Sequence, residues 1–189
     1  MRILVTGNQG YIGTVLTDML IKKGNSVTGF DTNYYEPLTL LPPTAKKIKQ
    51  VNKDIREIDH QDIKDIDAII HLAALSNDPV GELSPKLTSD INLKSTIKLA
   101  LLAKQLAIKR FVYVSSQSIY GISGIDEELE EDSSRKNPIT VYAKTKWETE
   151  IALKKLQSDQ FIVVCFRPST VFGASPKLRC DIVFNNLVA

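Results

Sequence analysis

The sequence predicts a doubly wound α/β fold, in which a parallel sheet of at least six strands carries helices on both faces. Short, continuously apolar runs alternate with longer segments of helical pattern along the 189 residues. The runs hold few polar positions, which is typical of parallel strands buried on both faces. In such a sheet, ligands bind at the carboxyl ends of the strands.

Six apolar runs are predicted as strands because each is short and stops at a turn residue or a polar residue. The first run stops at Gly7 and the second ends in Asp31. In chain order the runs are RILVTG, SVTGFD, a short strand within KIKQVNKDI, DAIIHLAA, RFVYVSS and FIVVCF.

Three longer segments are predicted as helices, at Tyr11 to Lys23, Pro85 to Ala107 and Thr140 to Leu156. Gly24 and Asn25 form the stop signal of the first, and Pro85 suits the first turn of the second. Residues 33–46, which hold three prolines, and residues 117–137 are predicted as loops, and the final DIVFNNLVA is a candidate helix.

Composition favours one globular domain, with 43% hydrophobic residues and a net charge of +2. No basic stripe indicates a nucleic-acid partner, and no apolar stretch is long enough to indicate a membrane partner. The acidic run from Asp126 to Asp132 is interpreted as a solvated loop. Cys165 and Cys180 lack metal-ligand spacing, so we expect no metal and a reducing, cytoplasmic setting.

The first two strand ends carry features of a dinucleotide site. Gly7, Gly10 and Gly13 stand three apart in TGNQGYIG, between a strand and a helix, where a backbone can approach a pyrophosphate. The spacing differs from the G-x-G-x-x-G fingerprint. Asp31 ends the second strand, where a carboxylate accepts hydrogen bonds from ribose hydroxyls and repels a 2′-phosphate. The sequence therefore favours NAD over NADP.

Later strand ends add small and polar residues. Asp54 and Ile55 follow the third strand and are candidate contacts of an adenine ring. The fourth strand continues into the small residues Ala73 and Ala74, which leave room for a flat cofactor. The fifth ends in Ser115 and Ser116, whose hydroxyls can donate to and accept from a substrate alcohol. By contrast, His71 is interpreted as a core residue and His60 as a surface residue.

Tyr142 and Lys146 lie four residues apart in YAKTK, on one face of a predicted helix. Of the six tyrosines, Tyr142 alone has a lysine at this spacing. A free phenol, with a pKa of about 10, is a poor base at neutral pH, and a nearby ammonium favours its ionised form. The pair is therefore interpreted as catalytic, although an exposed surface pair has the same spacing.

These pieces together resemble the extended short-chain dehydrogenase/reductases, specifically their NAD-dependent nucleotide-sugar epimerase/dehydratase group. The matching motifs are TGNQGYIG, Asp31, Asp54, HLAA, SSQSIYG, YAKTK and RPSTVFG, in that order. They run from residue 1 to about residue 174. The resemblance implies an NAD-binding Rossmann domain over residues 1–174 and the start of a substrate-binding region over residues 175–189.

The resemblance also implies a set of functional residues. Its catalytic residues are Ser116, Tyr142 and Lys146, with Tyr142 taking the hydroxyl proton of a nucleotide-diphosphate sugar while NAD accepts a hydride from a sugar carbon. Thr170 and Asn186 match substrate-side positions. The implied NAD contacts are Gly7, Gly10, Tyr11, Ile12, Gly13, Asp31, Asp54, Ile55, Ala73, Ala74, Asn92, Ser115, Tyr142, Lys146 and Pro168.

Two departures from the family pattern refine this hypothesis. Gln117 and Ser118 stand where the family's 4,6-dehydratases carry acidic residues, so epimerisation or simple oxidation–reduction is favoured. Members usually continue for over a hundred residues more, so the chain is expected to be the cofactor-binding part of a longer enzyme. The alternatives are a catalytically silent NAD-binding module and a reductase acting on a smaller substrate.

The resemblance further implies a homodimer through the two long helices at 85–107 and 140–156. Candidate interface residues are Leu99, Leu102, Leu106, Ile151 and Leu153. The same residues would equally suit packing against the chain's own sheet, since a helical period does not distinguish the two.

Overall fold

The computed structural model describes residues 1–34, 36, 39, 48–76, 78–122, 124 and 128–188. The three prolines of the predicted loop at residues 33–46 lie outside the described residues, as do the first two residues of the acidic run.

In the described part of the chain, six strands form one parallel sheet in the order β3-β2-β1-β4-β5-β6. Their bounds are β1 Arg2–Thr6, β2 Ser26–Asp31, β3 Lys49–Asn52, β4 Ala68–His71, β5 Arg110–Val114 and β6 Ile162–Phe166. This order is that of a dinucleotide-binding Rossmann sheet, with the reversal between β1 and β4. The predicted fold class is confirmed, and each strand lies within its predicted run.

The helices of the described residues are α1 Tyr11–Lys22, α2 His60–Ile63, α3 Asp78–Leu83, α4 Pro85–Ser89, α5 Ser95–Gln105, α6 Val141–Leu156 and α7 Val183–Val188. Gly24, at φ +80°, ends the α1 segment as predicted. Ser84 caps α4 and Pro85 occupies its first turn, while Thr140 caps α6. The short helices α2 and α3 were not predicted.

The predicted helix over residues 85–107 is helical over most of its length but is not a uniform α-helix. A π-helical turn, Asp90–Lys94, separates α4 from α5. The segment ends at Gln105, and Ala107 has φ +56°. Sequence periodicity does not reveal a single inserted residue of this kind, and π turns are frequent at functional sites.

Two apolar clusters hold the layers together. Leu16 and Leu20 of α1 pack beside Val5 and Val27 on one face of the sheet. On the other face, the larger cluster joins the sheet to α5 and α6. Its buried members include Leu4, Phe30, Ile69, Leu99, Phe111, Leu153 and Phe161.

The expectation that every strand is covered on both faces is wrong for β6. Ile162, Val164 and Phe166 alternate along this edge strand and are exposed to 48%, 42% and 57%. The helix α1 packs beside β1, β2 and β4 and does not extend to this edge. The alternation shows that one face of β6 packs on the core while the other faces solvent.

Candidate active site

A cavity of about 890 Å³ lies at the carboxyl ends of the strands, where sheets of this order bind ligands. It is lined by the glycine loop after β1, by residues at or just after the ends of the other five strands, by the first turns of α6 and by residues 177–182. Sixteen residues predicted from the sequence line it: Gly7, Gly10, Tyr11, Ile12, Gly13, Asp31, Asp54, Ile55, Ala73, Ala74, Ser115, Ser116, Tyr142, Lys146, Pro168 and Thr170.

The glycine loop needs glycine for two different reasons. Gly7 has φ +70°, and a Cβ there would lie 2.7 Å from the backbone nitrogen of Ala73. A Cβ at Gly13 would collide with the carbonyl oxygen of Gly7. At Gly10 a Cβ would have one neighbour within 4 Å, the Gly7 oxygen at 3.3 Å. Gly7 and Gly13 therefore shape the loop, whereas a side chain at Gly10 would make one close backbone contact and would otherwise extend beside the cavity.

The Asp31 carboxylate is tied to the glycine loop. Its Oδ2 accepts a hydrogen bond from the Gln9 backbone N–H at 3.0 Å. Its Oδ1 accepts from the Asn33 backbone N–H, also at 3.0 Å. Each carboxylate oxygen has further acceptor capacity. The arrangement holds a negative charge at the end of β2, in the position that the ribose hypothesis requires.

At the end of β3, the Asp54 carboxylate is already paired with a neighbouring side chain. The carboxylate accepts from the Arg56 guanidinium at 2.7 and 3.0 Å, and this contact lowers the pKa of Asp54. It also caps the 3₁₀ turn Ile55–Glu57. Ile55 is buried and borders the cavity. A cofactor would meet the Ile55 side chain and the edge of an already paired carboxylate.

His71 is a satisfied core histidine, as the sequence predicted, with 1% of its surface exposed. The Thr96 hydroxyl donates to the Asn92 carbonyl at 2.7 Å, so it accepts from His71 Nε2 at 2.8 Å. Nδ1 of the ring then accepts from the Thr6 hydroxyl at 2.7 Å. Burial lowers the pKa of His71 to about 3, which keeps the ring neutral. His60, by contrast, is exposed.

The two serines after β5 differ in their environment. Ser115 is buried, and its hydroxyl has no hydrogen-bond partner among the described residues. Ser116 caps the 3₁₀ turn Gln117–Tyr120, and its oxygen accepts from the Ser118 hydroxyl at 2.8 Å. Both line the cavity, so the structure offers one unpartnered hydroxyl and one that is held in place.

Tyr142 and Lys146 lie one turn apart on α6 and both line the cavity. The Lys146 ammonium is 5.6 Å from the centre of the Tyr142 ring and donates to the Val114 carbonyl at 2.7 Å. Only 4% of Lys146 is exposed. Burial lowers its pKa to about 8, while the negative charge of Glu150 opposes this shift. The pair is therefore not an exposed surface pair.

Two predicted residues do not line the cavity. Asn92 is buried, and its amide accepts from the Leu75 N–H at 2.9 Å and donates to the Leu75 carbonyl at 3.0 Å. It fixes the backbone just after Ala74. Asn186 is exposed and donates to the Cys180 carbonyl at 3.2 Å.

The segment after β6 folds back over the start of α1. The Tyr11 hydroxyl donates to the Gly173 carbonyl at 2.6 Å, and the Ser175 hydroxyl donates to the Tyr11 carbonyl at 2.7 Å. Asn185, the neighbour of the predicted asparagine, donates to the Tyr11 hydroxyl at 3.0 Å. Residues on both sides of the predicted boundary at 174 thus contact α1.

Among the cavity-lining residues that sequence reasoning missed, three polar residues change the chemistry of the site. The side-chain oxygen of Gln9 is buried there without a partner among the described residues. Lys177 and Arg179 bring positive charges from the segment after β6. Gln9 lies inside the glycine motif, but a variable position between glycines gives no signal. The two cations follow Thr170 by seven and nine residues, in a segment whose sequence pattern does not place them at the cavity.

The residues present fit a dinucleotide. The unpartnered Ser115 hydroxyl and Gln9 oxygen need polar partners, because a buried polar atom without one is costly. The absence of a side chain at Gly10, which lines the cavity, lets a diphosphate approach the amino end of α1. Among the described residues, no helix is long and apolar enough to cross a membrane, and no group of three metal-ligating side chains converges.

The chain belongs to the NAD dependent epimerase/dehydratase family, whose model matches residues 3–187. A probable UDP-glucuronate 4-epimerase of Rhizobium meliloti (strain 1021) is 32% identical over 186 residues, covering 92% of this chain and 54% of that protein. MoeE5, solved in complex with UDP-glucose and NAD, has a TM-score of 0.84 at 26% identity, over 100% of this chain and 60% of that one.

A second solved structure, TunA, is described as an NAD-dependent NDP-hexosamine 5,6-dehydratase involved in tunicamycin biosynthesis. It has a TM-score of 0.85 at 26% identity, over 98% of this chain and 59% of that one. The chain spans about half the length of the curated relatives that it matches. The comparisons confirm the family predicted from the motifs, with NAD as its cofactor.

Proposed function

We propose that this chain is an NAD-dependent nucleotide-sugar epimerase, or the cofactor-binding part of one. The observation that carries the proposal is the meeting of Ser116, Tyr142 and Lys146 with the glycine loop and Asp31 around one cavity. Residues 1–174 form the cofactor-binding domain in this proposal, and residues 175–189 begin the substrate-binding region.

NAD, when bound, supplies a reversible hydride acceptor for a sugar carbon. The chain's own residues move the proton. Tyr142 takes the proton of the sugar hydroxyl as that carbon becomes a ketone, and returns it afterwards. Ser116 orients the same hydroxyl, since a serine can donate to the developing ketone oxygen. A general base of this kind contributes roughly a hundredfold to ten-thousandfold in rate.

Lys146 supports Tyr142 in this scheme. Its ammonium favours the ionised phenol, because an opposite charge nearby lowers the pKa of an acid. It also binds the nicotinamide ribose. Its burial and its hydrogen bond to the Val114 carbonyl fix the direction of the ammonium, which favours a specific role.

Besides Tyr142 and Lys146, the proposed NAD contacts are the other residues that the resemblance implied. Tyr11, Ile12 and the glycines surround the pyrophosphate, with Asp31 at the adenosine ribose. Asp54 and Ile55 lie toward the adenine, and Ala73, Ala74, Ser115 and Pro168 line the path to the nicotinamide. Asn92 acts indirectly, by fixing the backbone at Leu75.

A nucleotide-diphosphate sugar is the proposed substrate. MoeE5 and the UDP-glucuronate 4-epimerase support this class through the UDP-sugars that their names state. Gln117 and Ser118, in place of the acids of 4,6-dehydratases, favour epimerisation. Ser116, Thr170 and Asn186 are the proposed substrate contacts. Asn186 must turn away from the Cys180 carbonyl to reach the cavity.

A homodimer through α4, α5 and α6 is also proposed. Leu101 and Ile151 support it, since they are exposed to 42% and 39% on these helices. Leu99 and Leu153, also considered for this surface, are fully buried against the chain's own sheet. A cytoplasmic setting is proposed because both cysteines are free thiols.

The function is tested by incubating the chain with NAD and a panel of UDP-glucose, UDP-glucuronate and UDP-N-acetylglucosamine, and following the sugars by NMR. We expect the 189-residue chain to turn over slowly, because it spans about half the length of the curated relatives that it matches and holds few proposed substrate contacts. Positioning of reactants is worth on the order of 7 kcal/mol or more. A longer form that includes the substrate region should be fast.

In that longer form, Tyr142→Phe should abolish turnover and leave NAD affinity nearly unchanged. Lys146→Met should also be inactive, whereas its control Lys144→Met, on the exposed face of the same helix, should be active. If a longer form binds NAD and converts none of the sugars, the chain is a silent NAD-binding module. Retention of most activity by Tyr142→Phe would contradict the assigned base.

A further inference from the structure

A buried ion pair lies behind the catalytic face of α6. Tyr142, Lys146 and Glu150 are spaced by four residues, so they follow one another along one side of the helix. The Glu150 carboxylate accepts from Arg167 through Nη2 at 2.7 Å and through Nε at 3.1 Å. The side chains are 6% and 15% exposed. The proposed reaction gives this pair no role.

Arg167 joins three elements that surround the cavity. It lies just after β6 and pairs with Glu150 of α6. Its Nη1 also donates to the Tyr120 hydroxyl at 2.7 Å and to the Glu131 carbonyl at 2.6 Å. Tyr120 lines the cavity four residues after Ser116. The guanidinium thus fixes Glu150 from one side and the loop after Ser116 from the other.

Among the described groups that act on Lys146 in the resting site, one carries a negative charge. From its own helix these groups are Tyr142 and Glu150, and from β5 the ring of Tyr113, 4.8 Å from the ammonium. His71 faces it from β4 and is neutral, because its pKa is about 3. Glu150 is therefore the charge that opposes the cost of burying the ammonium.

We propose that Glu150 is a positioning residue for the Lys146 ammonium, and that Arg167 holds Glu150 in place for this purpose. The inference rests on the proposed function, since it assigns a supporting role to the same base. A buried lysine tends toward the neutral amine, and a carboxylate one turn away favours the ammonium. A neutral amine would not stabilise the Tyr142 phenolate.

A buried pair can also serve the fold alone, and the two roles have different consequences. A pair that only holds the fold would change the free energy of unfolding and leave the titration of Lys146 unmoved. A pair that supports the ammonium would move that titration. Glu148, two residues before Glu150 on α6 and exposed, supplies a matched control.

The test is an NMR titration of the folded chain carrying ¹³C-labelled lysine, with the Lys146 signal assigned from Lys146→Arg. In Glu150→Gln, we expect the midpoint of Lys146 to fall by about one pH unit, a tenfold change in proton affinity. Glu148→Gln should leave it unchanged, and Glu150→Asp should restore most of it. An unmoved midpoint in Glu150→Gln overturns the proposal.

If Glu150→Gln does not fold, because Arg167 is left unpaired, the double variant Glu150→Gln/Arg167→Met removes both charges. It should also lower the Lys146 midpoint, since Glu150 raises the pKa of Lys146 and Arg167 is not among the charges that shift it, and an unchanged midpoint would again overturn the proposal. The titration needs no substrate. A longer form that fails to convert nucleotide-sugars would contradict the proposed function, and the Lys146 midpoint would still decide this inference.

Discussion

At the scale of single residues, the site depends on side chains whose oxygens are held by backbone donors. Asp31 is the clearest case, because the N–H groups of Gln9 and Asn33 fix both carboxylate oxygens. Its place at the end of β2 followed from the sequence. Its hydrogen bond to the loop after β1 could not be predicted, because the sequence pattern does not indicate which backbone N–H a carboxylate binds.

Asp31→Ala should relax the discrimination between NAD and NADP. The carboxylate repels a 2′-phosphate, and its removal leaves the positive charge of nearby Lys177, which lines the same cavity. We expect the unmutated chain to bind NAD much more tightly than NADP, and the variant to bind the two with similar affinity. Calorimetric titration with each cofactor measures this.

The control for that titration is Asp65→Ala, which removes an exposed carboxylate away from the cavity. It should keep the preference of the unmutated chain. Equal affinity of the unmutated chain for both cofactors would show that Asp31 does not set the preference.

At the scale of elements, a buried hydrogen-bond network connects strands that meet at the site. Thr6 of β1, His71 of β4 and Thr96 of α5 form a continuous series. The Thr6 oxygen also accepts from the Leu72 and Ala73 N–H groups at 3.2 and 3.3 Å. The network therefore holds the backbone that carries the small residues after β4.

This network predicts a pH dependence of stability. The folded-state pKa of His71, about 3, lies below its ordinary value of 6.5, so the unfolded chain binds the proton more tightly. The contribution is complete above pH 6.5 and is lost as pH falls toward 3. Between pH 7 and pH 5, it should cost about 2 kcal/mol of unfolding free energy.

Urea unfolding at the two pH values measures this cost. His71→Gln should lose about 2 kcal/mol less between pH 7 and pH 5 than the unmutated chain, although it starts from a lower stability. His60→Gln, which changes the exposed histidine, should behave like the unmutated chain. Equal losses in all three proteins would show that His71 does not stay neutral in the fold.

The main elements could be predicted from the sequence, and the reasons for the exceptions are physical. The long periodic segments predicted the bounds of α1 and α6 to within a residue or two. The helices α2 and α3 have four and six residues, too few for a period to appear. The π turn at Asp90–Lys94 holds Asn92 toward Leu75, and its single extra residue leaves no mark in the apolar pattern.

At the scale of the whole molecule, the carboxyl edge of the sheet was predictable, because parallel strands bring their ends to one side. Which residues cover that edge could not be predicted from the sequence. Lys177 and Arg179 reach the cavity from a segment that begins beyond β6, and this long-range contact has no local signal. The exposed face of β6 was missed because an edge strand can be as apolar as a central one.

The exposed apolar residues of α5 and α6 predict a dimer. Sedimentation equilibrium should give twice the chain mass at high concentration, and Leu101→Glu should shift the chain to monomer by placing a charge in the interface. Leu106→Glu, at the C-cap of α5 and 37% exposed, should weaken the dimer less. A clean monomer of the unmutated chain at high concentration would count against this interface.

The central claim is that the glycine loop and the catalytic face of α6 enclose one NAD site, and calorimetric titration of NAD into Gly10→Ala tests it most directly. The added methyl group would lie 3.3 Å from the Gly7 carbonyl oxygen, a close contact that calls for a shift of a few tenths of an ångström, and it would enter the room left for the diphosphate. We expect tight binding by the unmutated chain and at least tenfold weaker binding by Gly10→Ala. Gly24→Ala, at a glycine remote from the cavity, should cost stability because φ there is +80°, but the folded variant should bind NAD normally. Unchanged NAD affinity in Gly10→Ala, or no binding by the folded unmutated chain, would contradict the account.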